Sequence, residues 1–449
     1  MMKGMVILER SIFKCFVKYV SLNVLGMIAL SCYILADTFF VSKALGATGL
    51  AALNLSISVY SVINGIGLMI GIGGASRYGI LKSQNEDKKA NIIFTTGIKM
   101  GIAFAFVFLI IGIVGSKALA LILGADATTL SMTNIYLKTI LCFAPFFISN
   151  NIVLAFVRND NNPNLSMLAM LVGSFSNIIL DYIFMFPLGM GMFGAAFATG
   201  LAPIISLGVL SIHFIKKKNN FHMIRYNFLW ENIRCILSVG LSSFINEISS
   251  AVVLITFNLV ILGLEGNLGV AAYGIVANLA LVGVAIFTGI AQGIQPLLSK
   301  AYGLRNKELI NQVIKYAILT SFSLALVIYL VVFCNVESII GIFNSENNME
   351  VLQIAKVGFK IYFIGFVFVG INIIMTMYLS VAEYVKEAFI ISLARGCVVI
   401  VPLVILLSLI WGMVGVWSAF VLTELLISAI AIFLVILPQG ESKFVNNMK

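Results

Sequence analysis

The stretch that decides the fold is MFGAAFATGLAPIISLGVLSIHFI, residues 192–215, which contains no Asp, Glu, Lys or Arg and is followed at once by Lys216, Lys217 and Lys218. As a helix it would be about 36 Å long at 1.5 Å per residue, enough to cross the roughly 30 Å hydrocarbon core of a bilayer. Similar stretches recur along all 449 residues, of which 61% are hydrophobic and 10% are charged. A soluble chain would have about a quarter of its residues charged. The sequence therefore predicts an all-α integral membrane protein.

Apolar segments of helical length occur twelve times along the chain. They cover residues 13–40, 50–76, 91–115, 129–156, 164–186, 192–215, 236–262, 270–298, 313–335, 352–380, 387–409 and 412–437. The first follows a basic N-terminus, as in a secretory signal sequence, but it is too long and ends at Asp37 without a small-residue cleavage site. We therefore expect a retained first span. The basic stretch in the middle predicts an N-terminal six-helix lobe at 1–215, a linker at 216–235 and a C-terminal six-helix lobe at 236–449.

Basic residues are distributed unevenly between the two sets of alternating loops. One set carries the basic N-terminus and most of the Lys and Arg, whereas the other carries little beyond Lys43, Lys117 and Lys138. The first set contains Arg77, Lys82, Lys88, Lys89, Arg158, Lys216, Lys217, Lys218, Arg225, Arg234, Lys300, Arg305, Lys307 and Lys386. Cytoplasmic loops carry an excess of Lys and Arg, so we expect both termini and the linker to be cytoplasmic. The net charge of +10 then reflects topology, and we expect no nucleic acid as a partner.

The two halves of the chain resemble each other. Three short motifs recur in the same order about 220 residues apart: Gly49-Leu50-Ala51-Ala52-Leu53 as Gly269-Val270-Ala271-Ala272-Tyr273, Gly67-x-x-x-Gly71 as Gly289-x-x-x-Gly293, and Gly191-Met192-Phe193-Gly194 as Gly412-Met413-Val414-Gly415. Each motif alone is weak, because glycine and alanine are common in membrane helices. Their shared order and spacing predict a tandem repeat. In secondary transporters such repeats enclose a site that is exposed to either side in turn.

Polar side chains inside the predicted spans indicate a binding site. Asp37 lies late in the first span, and Thr199 lies in the sixth. Asp181 lies in the fifth, with Asn177 one helical turn before it. An acid inside a membrane helix costs about 2.5–3.5 kcal/mol, so it needs a function or a partner. These oxygen ligands suit Na⁺, and two close carboxyls also suit a shared proton. The alternative is that the four side chains only bond nearby backbone and pack the helices.

The acids of the second half do not mirror those of the first. Glu247 lies in the seventh span and Glu424 in the twelfth, whereas the position one repeat after Asp181 is close to Pro402. Glu247 is an additional candidate for the site, and Arg395 is expected to reach the cytoplasmic interface by snorkelling. No nucleotide-binding loop, nucleophile elbow or zinc motif occurs, so we expect no enzyme. The energy for transport would come from an ion gradient or from the gradient of the substrate itself.

Several motifs are similar to those of one transporter family. They are Asp37-Thr38-Phe39-Phe40-Val41, Arg158-Asn159-Asp160-x-x-Pro163, Asn177-x-x-Leu180-Asp181-Tyr182-x-Phe184, Gly194-Ala195-Ala196-x-Ala198-Thr199 and Gly289-x-x-Gln292-Gly293-x-Gln295-Pro296. With them the chain resembles the multidrug and toxic compound extrusion (MATE) family, and most closely its bacterial multidrug efflux branch. The resemblance runs from about residue 20 to residue 435.

The resemblance implies twelve helices in two pseudo-symmetric six-helix bundles with a V-shaped outline. It implies an antiporter of the bacterial inner membrane that exports small organic cations in exchange for Na⁺ or H⁺. We expect a monomer in the lipid bilayer, with no cofactor beyond the coupling ion. The residues that match the family's cation site in the first lobe are Asp37, Asn177, Asp181 and Thr199. Tyr136 matches a nearby tyrosine, and Glu247 matches a position where some members carry an acid in the second lobe.

The chain departs from the family at two points. The first span has no proline, with Gly26 as its nearest flexible residue, which argues against a proline-dependent bend. The usual glycine between Asp160 and Pro163 is absent, which we expect to change the loop shape only.

Two other functions are considered. A flippase for a lipid-linked or amphiphilic precursor would commonly have extra helices and a basic cavity, whereas the predicted sites here are acidic. A membrane-embedded enzyme or receptor would need a catalytic constellation or an extramembrane sensing domain, and neither is visible in the sequence.

Overall fold

Helices make up nearly all of the described chain. The computed structural model describes residues 2–226, 229–343 and 348–436. Within these ranges nine helical segments are long and apolar enough to cross a membrane. Their bounds are Ile12–Ser83, Asp87–Ile122, Leu130–Asn159, Pro163–Met185, Gly191–Ile215, Trp230–Gly303, Lys307–Cys334, Met349–Val381 and Val385–Leu434. The prediction of an all-α membrane protein is confirmed.

Three of these segments fold back on themselves at a single glycine. Gly46, Gly266 and Gly412 have φ angles of 64°, 61° and 55° between helical neighbours. A Cβ at any of the three would meet no atom within 4 Å, so glycine is needed for its backbone conformation and not for space. The hydroxyls of Tyr33 and Tyr60, one on each side of Gly46, are 3.0 Å apart, so the two arms lie side by side. With three hairpins, the nine described segments form twelve spans.

The twelve spans are numbered along the chain. They are α1 (2–45), α2 (47–83), α3 (Asp87–Ile122), α4 (Leu130–Asn159), α5 (Pro163–Met185), α6 (Gly191–Ile215), α7 (230–265), α8 (267–303), α9 (Lys307–Cys334), α10 (Met349–Val381), α11 (385–411) and α12 (413–436). A short helix, Val336–Phe343, lies between α9 and α10. The number of spans agrees with the sequence. The helices are longer than the apolar segments, because residues 41–49 and 263–269 stay helical on both sides of the glycine.

Local side-chain bonds cap the start of α5 and order the loop before α4. Asn162 caps α5 with its side chain, and Pro163 occupies the first turn, where its missing N–H costs nothing. Before α4, Asp126 accepts hydrogen bonds from Thr128 and Thr129, which lower the pKa of its carboxyl to about 2. The acid therefore stays ionised as it orders the loop.

The tandem repeat is visible in the backbone. Eight of the eleven described residues with positive φ form four pairs about 220 residues apart: Gly46 with Gly266, Asn85 with Arg305, Asn161 with Glu383, and Gly191 with Gly412. The helices end or reverse at these residues, which occupy corresponding places in the two halves. Because these breaks do not depend on matching side chains, they support the repeat more strongly than the glycine and alanine motifs do.

The connections between spans lie on two opposite faces. We call the face with the three glycine turns the hairpin face, and the opposite face, with the segment between α6 and α7, the linker face. Near the linker face, Gly240 of α7 meets the backbone of Met69, and Gly293 of α8 meets the backbone of Val20. A Cβ at either glycine would overlap that backbone, so both contacts require glycine. The linker face is closed by packing of α2 on α7 and of α1 on α8.

Buried apolar side chains form two clusters. One cluster draws on residues 41–236, and the other draws on residues 257–431 together with four residues of the first two spans. Those four are Phe16, Val20, Ile72 and Ile80. The first part of α1 therefore packs with the second half of the chain. The lobe boundaries predicted from the sequence, at 215 and 236, remain a proposal that this division of the core supports.

Candidate cation-binding site

The four side chains predicted for the site lie on three neighbouring spans. Asp37 is on α1, Asn177 and Asp181 are one turn apart on α5, and Thr199 is on α6. In the amide orientation that satisfies both neighbours, Asn177 donates to Asp181 Oδ2 at 3.0 Å and accepts from the backbone N–H of Thr199 at 3.2 Å. Asp37 and Asp181 interact electrostatically. The fold thus brings together residues that are far apart in the sequence.

Tyrosine hydroxyls surround these acids. Tyr136 of α4 interacts electrostatically with both carboxyls. Tyr33, one turn before Asp37, bonds Tyr60 of α2 at 3.0 Å. Tyr136 is 4% exposed and therefore lies inside the lobe beside the acids.

Two carboxyl oxygens of this cluster lack a partner among the described residues. Asp37 is 7% exposed and Asp181 is fully buried, and the Oδ1 atom of each makes no hydrogen bond there. The ion pairs found in the described ranges involve other acids. A buried carboxylate without a counterion costs several kcal/mol, so it takes up a proton or a cation. Two carboxyls, an amide and hydroxyls offer oxygen ligands only, which fits Na⁺ or a proton.

Glu247 does not join this cluster. Its Oε1 accepts from Asn64 Nδ2 at 3.0 Å, and Asn64 Oδ1 accepts from Asn151 Nδ2 at 2.8 Å. These bonds run from α4 through α2 to α7, so they connect the two halves inside the membrane. Tyr60 of α2 interacts electrostatically with both Glu247 and Asp37.

Glu424 has a counterion within the second half. Its Oε1 accepts from Arg395 Nε at 2.7 Å, and its Oε2 accepts from Asn372 Nδ2 at 2.7 Å. The snorkelling interpretation of Arg395 is wrong, since its side chain is 17% exposed and bonds Glu424 on α12. Arg395 lies in a π-helical turn, Ala394–Val398. Such a turn shifts the side chains relative to a regular α-helix, and the apolar pattern of the sequence does not show this shift. Because Arg395 neutralises Glu424, this acid needs no exchangeable cation.

Two consecutive residues at the end of α4 hold α8 at the linker face. Arg158, assigned to a loop from the sequence, is only 3% exposed. Its Nη1 donates to Asn23 of α1 and to Gln292 of α8, each at 2.8 Å. Asn159 donates to Gln295 of α8 at 2.7 Å. The sequence showed that this motif is similar to a family motif, but it did not predict which residues the motif contacts.

The next residue, Asp160, anchors the linker. It accepts from the hydroxyl of Tyr78 at 3.0 Å and from the backbone N–H of Asn220 at 2.8 Å, and it lies 2.9 Å from His213 Nε2. All of these partners belong to the first half or the linker. Of these three consecutive residues, Arg158 and Asn159 therefore bond the second half, whereas Asp160 bonds the first half and the linker.

The fold and the site define a multi-pass membrane transport protein. It has two similar helical halves, a pair of buried acids that form no ion pair with any described residue, and one face closed by contacts between the halves. The chain belongs to the MatE family, whose model matches residues 24–183 and 243–406.

Relatives and solved structures agree with this family. The multidrug export protein MepA of Staphylococcus saprophyticus is 26% identical over 431 residues, which are 96% of this chain and 94% of that protein. A crystal structure of MATE in complex with MaL6 has a TM-score of 0.88 and 23% identity, over 94% of this chain and 95% of that one. An outward-facing multidrug resistance MATE family transporter has a TM-score of 0.88 and 23% identity, over 94% of each chain. These structural likenesses establish the fold.

Proposed function

We propose that the protein is a secondary multidrug efflux transporter that exports small organic cations in exchange for Na⁺ or H⁺ by alternating access. The observation that carries the proposal is the pair Asp37 and Asp181, two buried acids with unpartnered oxygens in a cluster of oxygen ligands. The drug-export relative supports the multidrug part. The flippase alternative gains no support from that relative. A flippase would commonly have a basic cavity, whereas the side chains without a counterion in this cluster are carboxyls.

Exchange follows from the electrostatics of the acid pair. Two carboxylates without a counterion attract a cation strongly, because charge interactions are weakly screened in the protein interior. A bound Na⁺ or proton neutralises one of the two charges and so weakens that attraction. Ion binding therefore favours release of a cationic substrate, and substrate binding favours release of the ion.

The first span is proposed to connect the acid pair to the closed linker face. Asp37 lies in the part of α1 near the hairpin face, whereas Asn23 of the same helix accepts a hydrogen bond from Arg158. Gly26 lies between them and packs against Met170 of α5, where a Cβ would come within 2.8 Å of the sulfur. Without a proline in this span, Gly26 is the point at which α1 bends most easily. A bend there would pull Asn23 away from its partner.

Transport of a fluorescent organic cation in proteoliposomes tests the proposal. We expect the dye to accumulate against its own gradient when an opposing Na⁺ or H⁺ gradient is imposed, because the acid pair exchanges one cation for another. Dissipating that gradient with an ionophore should stop accumulation, and the effective gradient identifies the coupling ion. Equal rates of dye equilibration with and without both gradients would contradict antiport.

A disulfide across the linker face tests alternating access. A Cβ at Gly79 of α2 would lie 2.9 Å from the Cβ of Ser299 on α8, so a small shift brings the pair to the spacing of about 3.5–4.5 Å that a disulfide needs. We expect oxidation of Gly79→Cys with Ser299→Cys, in a background without the 6 native cysteines, to stop efflux by holding this face closed. A reductant should restore efflux.

The two single cysteine variants are the controls for this cross-link, since oxidant should leave their transport unchanged. Normal efflux by fully cross-linked protein would rule out opening at the linker face.

A further inference from the structure

A groove on the linker face lies between α3 and the linker. It has a volume of about 460 Å³ and is lined by Thr95, Lys99, Met223, Ile224, Arg225 and Tyr226. The backbone N–H of Ile224 donates to Thr95 Oγ1 at 3.1 Å, and the hydroxyls of Tyr226 and Thr96 are 2.8 Å apart. These bonds hold the linker along α3, so both walls of the groove are fixed by the fold.

The groove carries two cations and no acid. Lys99 and Arg225 are both exposed, and the ion pairs found in the described parts of the chain include neither of them. The ammonium of Lys99 lies 4.6 Å from the centre of the Tyr226 ring, a cation–π contact that leaves its N–H groups available. The groove therefore attracts an anion.

The groove continues into an apolar strip on α3. Ile102 and Phe106 follow Lys99 on the same side of the helix and are 62% and 63% exposed. On the opposite wall, Met223 is 61% exposed. Exposed apolar side chains on a membrane span contact acyl chains, so Lys99 lies where the hydrocarbon gives way to headgroups.

We propose that this groove binds the phosphate of an anionic phospholipid, with the acyl chains lying along Ile102 and Phe106. Guanidinium and ammonium groups are the usual partners of phosphate oxygens, and basic pockets beside membrane helices bind such headgroups. A free phosphate ion would satisfy Lys99 and Arg225 but would leave the apolar strip uncovered. The bound lipid would tie the linker to the first half. This site is separate from the proposed transport function and does not depend on the coupling ion.

Binding of fluorescent phosphatidylglycerol to the purified full-length protein in detergent tests this site, with labelled phosphatidylcholine as the neutral comparison. We expect phosphatidylglycerol to bind more tightly. Lys99→Gln with Arg225→Gln should weaken its binding by roughly tenfold or more, since two cationic contacts are lost. Lys99→Arg with Arg225→Lys should restore it, because both charges remain.

A matched control removes the same charge elsewhere on this face. Lys216→Gln with Lys218→Gln alters another groove, lined in part by Asn164 and Leu168, and should leave phosphatidylglycerol binding within twofold of the wild type. Equal losses in the two charge-removing variants would mean a general attraction of the face and would overturn the proposal. Inorganic phosphate at millimolar concentration should not displace the lipid; displacement would assign the groove to a free ion. Unfolding temperatures of all variants check folding, and the assay needs no transport, so its outcome is independent of the antiport test.

Discussion

Asp37→Asn and Asp181→Asn are each expected to abolish ion-driven efflux while the protein stays folded. Asparagine has almost the same shape as aspartate, so the helices can keep their packing, but the charge that attracts a cation is lost. A hydrogen bond to a charged group contributes about 1.5–3 kcal/mol, and a loss of that size at a cation ligand corresponds to roughly 10- to 150-fold in ion affinity. Dye accumulation in proteoliposomes under an ion gradient should fall to the level of empty vesicles.

The unfolding temperatures of these variants show whether a loss of efflux is a loss of function or a loss of folding. Each of the two acids is buried with an unpartnered oxygen, so replacing it with a neutral amide removes a destabilising group. We therefore expect both variants to unfold at the temperature of the wild type or above it. Glu265→Gln is the matched control, since Glu265 is an exposed acid beside the Gly266 turn and should transport normally. Wild-type efflux by Asp37→Asn and Asp181→Asn would refute the assignment of the site.

The pair formed by Arg395 and Glu424 is expected to stabilise the folded protein, unlike the unpartnered acids Asp37 and Asp181. Arg395→Met would leave Glu424, which is 2% exposed, without its counterion. Breaking a buried pair by removing one partner costs about 3–5 kcal/mol, so this variant should unfold at clearly lower urea concentration than the wild type. Adding Glu424→Gln keeps an acceptor for Asn372 and removes the isolated charge. The double variant should regain most of the loss.

An exposed pair provides the control for this comparison. Lys356 and Glu337 form an ion pair near the hairpin face with side chains that are 38% and 66% exposed. Lys356→Met should leave the urea midpoint unchanged, because exposed pairs are screened by water. If Arg395→Met were as stable as Lys356→Met, the pair on α11 and α12 would have no structural role.

The sequence was sufficient to predict the all-α membrane fold, and it singled out two acids whose role as a cation site stays a prediction. Charged residues are so rare inside its apolar segments that Asp37 and Asp181 stood out, and the family motif joined them to Asn177 and Thr199. The hairpins were missed because an apolar pattern cannot show that a helix reverses at one glycine. Only the backbone conformation at Gly46 reveals it.

The sequence could not predict which side chains bond each other between distant spans, and the reason is different. Apolar segments show that a helix is buried in lipid or protein, but they do not show which face meets which neighbour. Arg395 was therefore assigned to the interface, although the structure pairs it with Glu424 through a π-helical turn. Arg158 was assigned to a loop because its motif ends a span, although its guanidinium lies between α1 and α8.

The contacts at the end of α4 also have a consequence for biosynthesis. Every partner found for Asp160 lies at or before Asn220, so the ribosome completes this acid's surroundings before it translates α7. Arg158, two residues earlier, obtains its second acceptor only when Gln292 has been inserted into the bilayer. Nascent chains stalled between these points would therefore carry a docked linker, whereas Arg158 would have only its first acceptor, Asn23.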